Sequence, residues 1–259
     1  MQNFTIGCDP EIFVCDNTQT VRSIIGKLGG SKDHPLPLPI GDGFAVQEDN
    51  VALEFNIPAS SSRESFIKNV CLATEFLEQA MIDRYGLNFF HKSAVSFPNE
   101  ELTDPAAFVF GCDPDYNAWT KKKNPRPKAD DPNLRSAGGH VHIGLNGQDP
   151  LQVVKACDLY LGVPSVLLDE YGDLRRPLYG KAGAYRIKPF GVEYRTLSNF
   201  WVFTPELIGW VHDGVSRALE AVSNNFDFDA LRDPILEAIN NNNKDVAAEL
   251  VSQYQLQLV

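Results

Sequence analysis

The chain has 259 residues, with 34 acidic against 23 basic side chains for a net charge of −11, and 43% of it is AVILMFWYC. That much apolar material builds a core burying on the order of three quarters of the unfolded surface, so no disulfide or metal staple is needed. The net negative field has the wrong sign for non-specific attraction to nucleic acid or an anionic membrane.

Five cysteines (Cys8, Cys15, Cys71, Cys112, Cys157) are odd in number and lack CxxC spacing, which argues against a disulfide framework or thiolate zinc and fits a reducing cytoplasm. The N-terminus, MQNFTIGCDPEIF, has no basic segment before a long apolar run, and no stretch approaches about 18 continuous apolar residues. Neither a secretion signal nor a membrane span is expected. Strand and helix periods alternate along the chain, so an α+β fold is expected, with residues 1–259 as one domain.

Residues 4–14 (FTIGCDPEIFV) read as a strand interrupted by Pro10, and residues 51–57 (VALEFNI) alternate cleanly between apolar and polar faces. Ser61 to Glu64 has the S-x-x-E form of a capping box. Phe66, Val70, Ala73, Leu77 and Ala80 follow at helical spacing, which predicts a helix of about five turns. A strand is expected from His140 to Leu145, then a helix opened by Asp149-Pro150 and running to about Leu161, and a short apolar helix from Pro164. Residues 192–198 are a further strand. Thr204-Pro205-Glu206 opens a helix with Ile208, Val211, Val215, Leu219 and Val222 on one stripe, and one or two polar helices end the chain. Residues 26–43 and 98–139, rich in Gly, Pro or charge, resist assignment.

Four segments place polar groups two apart on expected strands: Asp9/Glu11, Glu54/Asn56, His140/His142 and Glu193/Arg195. Side chains two apart share one face of a sheet. The opposite faces are apolar, so a sheet with helices behind and a polar front follows. Several carboxylates gathered there with imidazoles repel one another unless cations neutralise them, and an oxygen-rich set suits Mg²⁺ or Mn²⁺ better than Zn²⁺. Taken singly, an Asp-Pro pair is a turn and a strand Glu faces solvent. His-x-His within GGHVHIG is more telling, because flanking glycines allow a ligand close to the backbone.

Gly7 to Phe13 resembles the acidic x-Pro-Glu-Phe-Phe strand of glutamine synthetases, Ser136 to His142 their Gly-x-His-x-His strand, and Val192 to Arg195 their Ile-Glu-x-Arg strand, in the same order. With Gln47 to Asn56 included, the chain looks like the phage type 2 carboxylate-amine ligases, or amidoligases, of the glutamine synthetase-like superfamily. The resemblance implies a curved, mainly antiparallel sheet with a concave metal-binding face and helices packed behind. It implies an ATP- and Mg²⁺-dependent (or Mn²⁺-dependent) enzyme that joins a small-molecule or peptide carboxylate to an amine in the cytoplasm, the host's if the chain is phage-encoded.

Residue by residue, the resemblance makes Glu11 and Glu54 ligands of one metal, with Glu48 or Asp49 the third. Asp9, His140 and Glu193 are then ligands of a second metal. His142 lies near the nucleotide, and Arg195 and Arg186 bind phosphate in the transition state. Asp9 stands where the synthetases have Glu, one methylene longer. The synthetases' small N-terminal domain, which completes the site from a neighbouring subunit, is missing, so oligomerisation stays open. Lys121, Lys122 and Lys123 open a basic run, KKKNPRPK, which is either a solvated loop or a flap over phosphates. A metal-dependent hydrolase and a non-catalytic binding protein with this fold are the alternatives, the first weakened by the lack of HExxH.

Overall fold

The structure is a computed structural model that describes residues 4–108, 115–124 and 130–259. In chain order, β1 (Thr5–Cys15), β2 (Val21–Arg22), β3 (Leu36–Pro37), β4 (Ala45–Asp49) and β5 (Ala52–Asn56) precede helix α1 (Arg63–Tyr85). β6 (Asn88–Phe90), β7 (Ala94–Ser96), β8 (Tyr116–Asn117), β9 (Leu134–Ser136) and β10 (Gly139–Gly144) follow. α2 (Pro150–Cys157) continues through a π-helical turn, Asp158–Gly162, into α3 (Val163–Leu168) and α4 (Gly172–Arg175). The hairpin β11 (Ala184–Lys188) and β12 (Gly191–Tyr194) leads to α5 (Pro205–Ser223), α6 (Arg232–Asn240) and α7 (Lys244–Gln253).

Among the described residues the main sheet has the order β3-β4-β5-β1-β10-β12-β11-β8, with β2 and β6 added to β1 and a separate β7-β9 pair. Each of these pairings is antiparallel. The mixed α+β architecture with a large antiparallel sheet is thus the one expected. Pro10 is tolerated in the central strand because it stands where the ladders change: β10 pairs Thr5 through Pro10, while β5 pairs Glu11 and Ile12.

Period 2 sorts the side chains. Ile6, Cys8, Ile12, Leu53, Phe55, Val141, Ile143, Val192 and Tyr194 enter one core together with Phe66, Val70 and Leu77 of α1 and Val211 and Val215 of α5. The capping box of α1 forms one residue later than its motif suggests: Ser62 is the cap, and its partner is Ser65 rather than a glutamate. The two helices expected within residues 150–168 are continuous, joined by the π turn, and long and apolar enough to cross a membrane by length and composition, yet 72% of that span is buried inside the protein.

Past Glu11, the other face of β1 also turns apolar. Phe13 and Cys15 join Val51, Ala52, Phe90, Phe97 and Ala137 in a second, smaller core, so the polar face of the sheet is walled at one end.

Buried Asp158, on the π turn, ties the first core to the sheet. It accepts bonds from Trp119 Nε1 at 2.6 Å, Tyr194 Oη at 2.8 Å and Thr196 Oγ1 at 3.2 Å. Burial raises its pKa to about 7 against the lowering effect of those donors.

At Gly139 this packing leaves no room for a side chain. A Cβ there would stand 2.1 Å from Ser198 O and 2.5 Å from Trp201 Nε1, groups held by the bonds Gly139 N to Leu197 O and Trp201 Nε1 to Gly139 O. Gly139→Ala should therefore cost about 1–3 kcal/mol, the usual range for overpacking, read as a shift in urea midpoint. An unchanged midpoint would mean that the turn at Ser198 yields freely.

Candidate active site

The registers bring the polar pairs into one array. Glu54 stands opposite Glu11, Asp9 opposite His140, and Glu193 opposite both His142 and Arg186. Gln47 lies beyond Glu54 on β4. Because Asp49 is two residues from Gln47, it shares that face, whereas Glu48 points to the other.

Two groups offer one ligand atom per residue with all atoms within 4.8 Å: Glu11, Asp49 and Glu54, and Asp9, His142 and Glu193. The third carboxylate beside Glu11 and Glu54 is thus Asp49. Glu48 instead accepts the backbone amides of Gly26 at 3.0 Å, Leu28 at 2.8 Å and Gly29 at 2.7 Å, clasping the glycine-rich loop to β4. In the second group both imidazoles reach Asp9 and Glu193: His142 Nε2 lies 3.2 Å from Asp9 Oδ2 and 3.9 Å from Glu193 Oε2, and His140 Nδ1 lies 3.9 Å from Glu193 Oε1. His140 Nδ1 is 3.4 Å from Asp9 Oδ1 and 3.3 Å from Arg195 Nη1.

The two groups differ electrically. Burial raises the Glu54 pKa well above the ordinary glutamate value, reinforced by Asp9, Asp49 and Glu11; Glu11 is raised by burial and by Asp49. Burial also works against ionisation of Asp9 and Glu193. His142 and His140 nevertheless hold Asp9 well below the usual range, and Arg195, His140 and Lys188 leave Glu193 at about 2 despite the nearby Asp9 charge. His142 is raised, since Asp9 and Glu193 outweigh the burial that opposes its charge.

Glu193 is fully buried and ion-paired with Arg195, with Lys188 Nζ at 2.6 Å and with Arg186 Nη1 at 3.9 Å. Arg195 Nε also meets Asp115 Oδ1 at 2.6 Å. The buried atoms Asp9 Oδ1, His142 Nε2 and Glu193 Oε2 make charge contacts but no well-formed hydrogen bond. Oxygen and imidazole atoms in that condition suit a divalent cation.

Two cavities open on the array. The larger, about 640 Å³, is lined by Phe13, Val51, Arg135, Arg175, Tyr179 and Asp115 among others; the smaller, about 430 Å³, is lined by Asp9, Glu54, Lys32, Arg186 and Lys188. Glu11, Asp49, His140 and Arg195 line both. Lys121, Lys122 and Lys123 are exposed and line neither, Lys123 Nζ lying 5.7 Å from the Tyr116 ring centroid. Pro125 to Lys128, the rest of that basic run, lies outside the described residues.

Lys188, Lys32, Asp115, Arg135 and Arg175 were not foreseen. Lys188 left a sequence signal, standing two residues after Arg186 so that both share a face of β11. Burial lowers the Arg175 pKa to about 10, which leaves a cation in the larger cavity at neutral pH.

In EDTA the melting temperature should fall as pH is raised from about 5 to about 8. Glu11, Glu54 and Asp158 have folded pKa values above their unfolded ones, so the folded state binds more protons and stability is lost as pH climbs from the unfolded toward the folded value. The raised His142 adds stability below its unfolded pKa that is lost as pH rises through its folded one. Asp9 and Glu193, lowered, act in the opposite sense but only below about pH 4. A flat profile would show that the acidic cluster ionises without strain.

Calorimetry separates the adjacent acids. Asp49→Asn should weaken Mg²⁺ binding by at least about tenfold, whereas Glu48→Gln should leave it within about twofold and make residues 26–43 easier to cut with protease. The reverse pattern would exchange their roles.

A search of curated protein sequences finds no match to this chain. Among solved structures, it is similar to a bifunctional glutathione synthetase from Pasteurella multocida, with 12% identity and a TM-score of 0.45 over 98% of this chain and 49% of that one. It therefore spans about half the length of that protein. Residues 133–213, which carry the His-x-His and Glu-x-Arg strands, match the family described as phage phiEco32-like COOH.NH2 ligase-type 2. The matched segment carries two of the strand motifs on which the resemblance to that family rests.

Proposed function

We propose that the protein is an ATP- and Mg²⁺-dependent carboxylate-amine ligase that forms an amide or peptide bond through an acyl phosphate, with residues 1–259 acting as one catalytic unit. The observation that carries this reading is the wall common to both cavities: Glu11, Asp49, His140 and Arg195 face each of them. Two substrates held on either side of that wall would meet at the acidic groups.

When bound, ATP supplies the phosphoryl group that makes a carboxylate electrophilic, and divalent ions neutralise its oxygens. Glu11, Asp49 and Glu54 would hold one ion, and Asp9 and Glu193 the other, with His142 or His140 as its imidazole. Lys32, Arg186 and Lys188 offer positive charge to phosphates in the smaller cavity. Arg195, 4% exposed and anchored by Glu193 and Asp115, is placed to stabilise charge growing on the transferred group.

In the larger cavity, Arg175 and Arg135 offer charge to an acid, while Phe13 and Val51 give it an apolar side. Arg175 donates to Thr196 O at 2.9 Å and Leu197 O at 3.0 Å, and Arg135 donates to Ala107 O at 2.9 Å. Both are fixed before any substrate arrives, which limits the ordering cost of binding. The space suits an amino-acid-sized or short peptide carboxylate.

Incubation with ATP, Mg²⁺ and mixed amino acids should release phosphate in an amine-dependent way. Hydrolysis without ATP would favour a hydrolase, and neither activity a binding protein. Glu11→Gln, Glu54→Gln and His140→Ala should each abolish turnover with the fold intact by circular dichroism; near-wild-type activity in any two would overturn the metal assignment. Glu54→Gln should also raise the metal-free melting temperature, since it removes one charge from a crowded acidic group.

A further inference from the structure

Asp158 takes no part in the chemistry proposed above, yet segments that build the site meet on it. It stands behind the sheet, fully buried, on the π turn between α2 and α3. Along β12 and just beyond, Glu193 and Arg195 face the acidic array, while Tyr194 and Thr196 turn to the opposite face and donate to one Asp158 oxygen. Trp119 Nε1 donates to the other.

Each donor is chained to a residue of the site. Tyr194 and Thr196 flank Arg195, and the Thr196 carbonyl accepts Arg175 Nη1. Trp119 belongs to the tight turn after β8, where Asn117 Oδ1 accepts its amide at 3.0 Å and Asn117 Nδ2 donates to Ala182 O at 2.8 Å. Two residues before Asn117 stands Asp115, which meets Arg195 Nε. Arg195, its partner Asp115 and the carbonyl that holds Arg175 are thus all tied to one carboxylate. Two glycines admit the donors: a Cβ on Gly162 would stand 2.8 Å from Tyr194 Oη, and one on Gly183 would stand 2.6 Å from Trp119 Cδ1.

A buried carboxylate whose three donating side chains are all uncharged is costly in an apolar core. For packing alone, apolar groups of the same shape would serve as well. We infer that Asp158 is a positioning residue, which fixes Arg195 and Asp115 from behind the sheet so that the guanidinium is already aimed where charge grows on the transferred group. This inference rests on the ligase reading above and adds to it the group that preorganises Arg195. An arginine aimed in this way acts on the transition state, so loosening it lowers kcat and spares KM.

Steady-state phosphate release with Mg²⁺, ATP and mixed amino acids tests it. Asp158→Asn keeps the shape and one accepting oxygen for Tyr194 and Thr196, but turns an amide donor toward the Trp119 N–H. It should lower kcat by about tenfold to a hundredfold and leave KM for ATP within about twofold. Trp119→Phe should also lower kcat, and the double variant should be no slower than Asp158→Asn, because both changes break the same bond. Leu77→Ala, a cavity made in the same core from α1, should lower the melting temperature and keep kcat. If Asp158→Asn does not fold, Trp119→Phe against Leu77→Ala decides on the same terms. A kcat that falls no further than in Leu77→Ala, a rise in KM alone, or additive losses in the double variant would overturn the positioning role and leave the ligase reading standing. Wild-type protein without amine-dependent phosphate release would overturn the ligase reading itself, and this inference with it.

Discussion

Glu11 and Glu54 face each other directly across a β ladder, an arrangement that is destabilising for like charges. The register cannot relieve it. A slip of one residue would turn Ile12, Leu53 and Phe55, all fully buried, to the opposite face, and the loss of three such side chains from the core far outweighs one carboxylate repulsion. The helices that cover the apolar face thus hold the acids together on the polar one, and the stability of one face sets up a demand for cations on the other.

That demand is uneven. Around Asp9 and Glu193 the protein supplies two imidazoles, Arg195, Arg186 and Lys188, and both carboxyls stay ionised despite burial. Around Glu11, Asp49 and Glu54 the acids chiefly see each other, and Glu11 and Glu54 are held toward the protonated form. The deficit of positive charge is therefore greatest at the Glu11 group. At the Glu193 group an incoming cation competes with Lys188 and Arg195, and side chains displaced from Glu193 become available to an anion. Under the proposed ligase reading, charge exchange of that kind would link metal binding to phosphate binding.

Much of this was legible because strand alternation is local. Asp9/Glu11, His140/His142 and Glu193/Arg195 declare their faces two residues at a time, and the structure keeps each pair on one face. What failed depends on information the local pattern lacks. Glu48 and Asp49 are adjacent acids in one motif, and only the position of β4 in the sheet, a strand not anticipated, shows which one faces Glu54. His140 and His142 share a face and both lie within 3.9 Å of Asp9 and Glu193, so alternation alone does not rank them as ligands. Arg135 and Arg175 come from segments with no strand or helix pattern strong enough to place them, and their roles appear only when backbone carbonyls from Ala107, Thr196 and Leu197 close around them. The capping box shifted by one because Ser61 and Ser62 are both competent caps.

The layout along the strands follows from the same period. Successive positions on one face are about 7 Å apart along a strand, and neighbouring strands are about 4.8 Å apart. Glu11, Asp9 and Gly7 thus mark three stations over about 13 Å of β1, with the arginine-lined cavity beyond the first. Across the strands, the shorter spacing brings acids and imidazoles from β5, β1, β10 and β12 within reach of one another. An antiparallel sheet in this way separates ligands in one direction and gathers charges in the other.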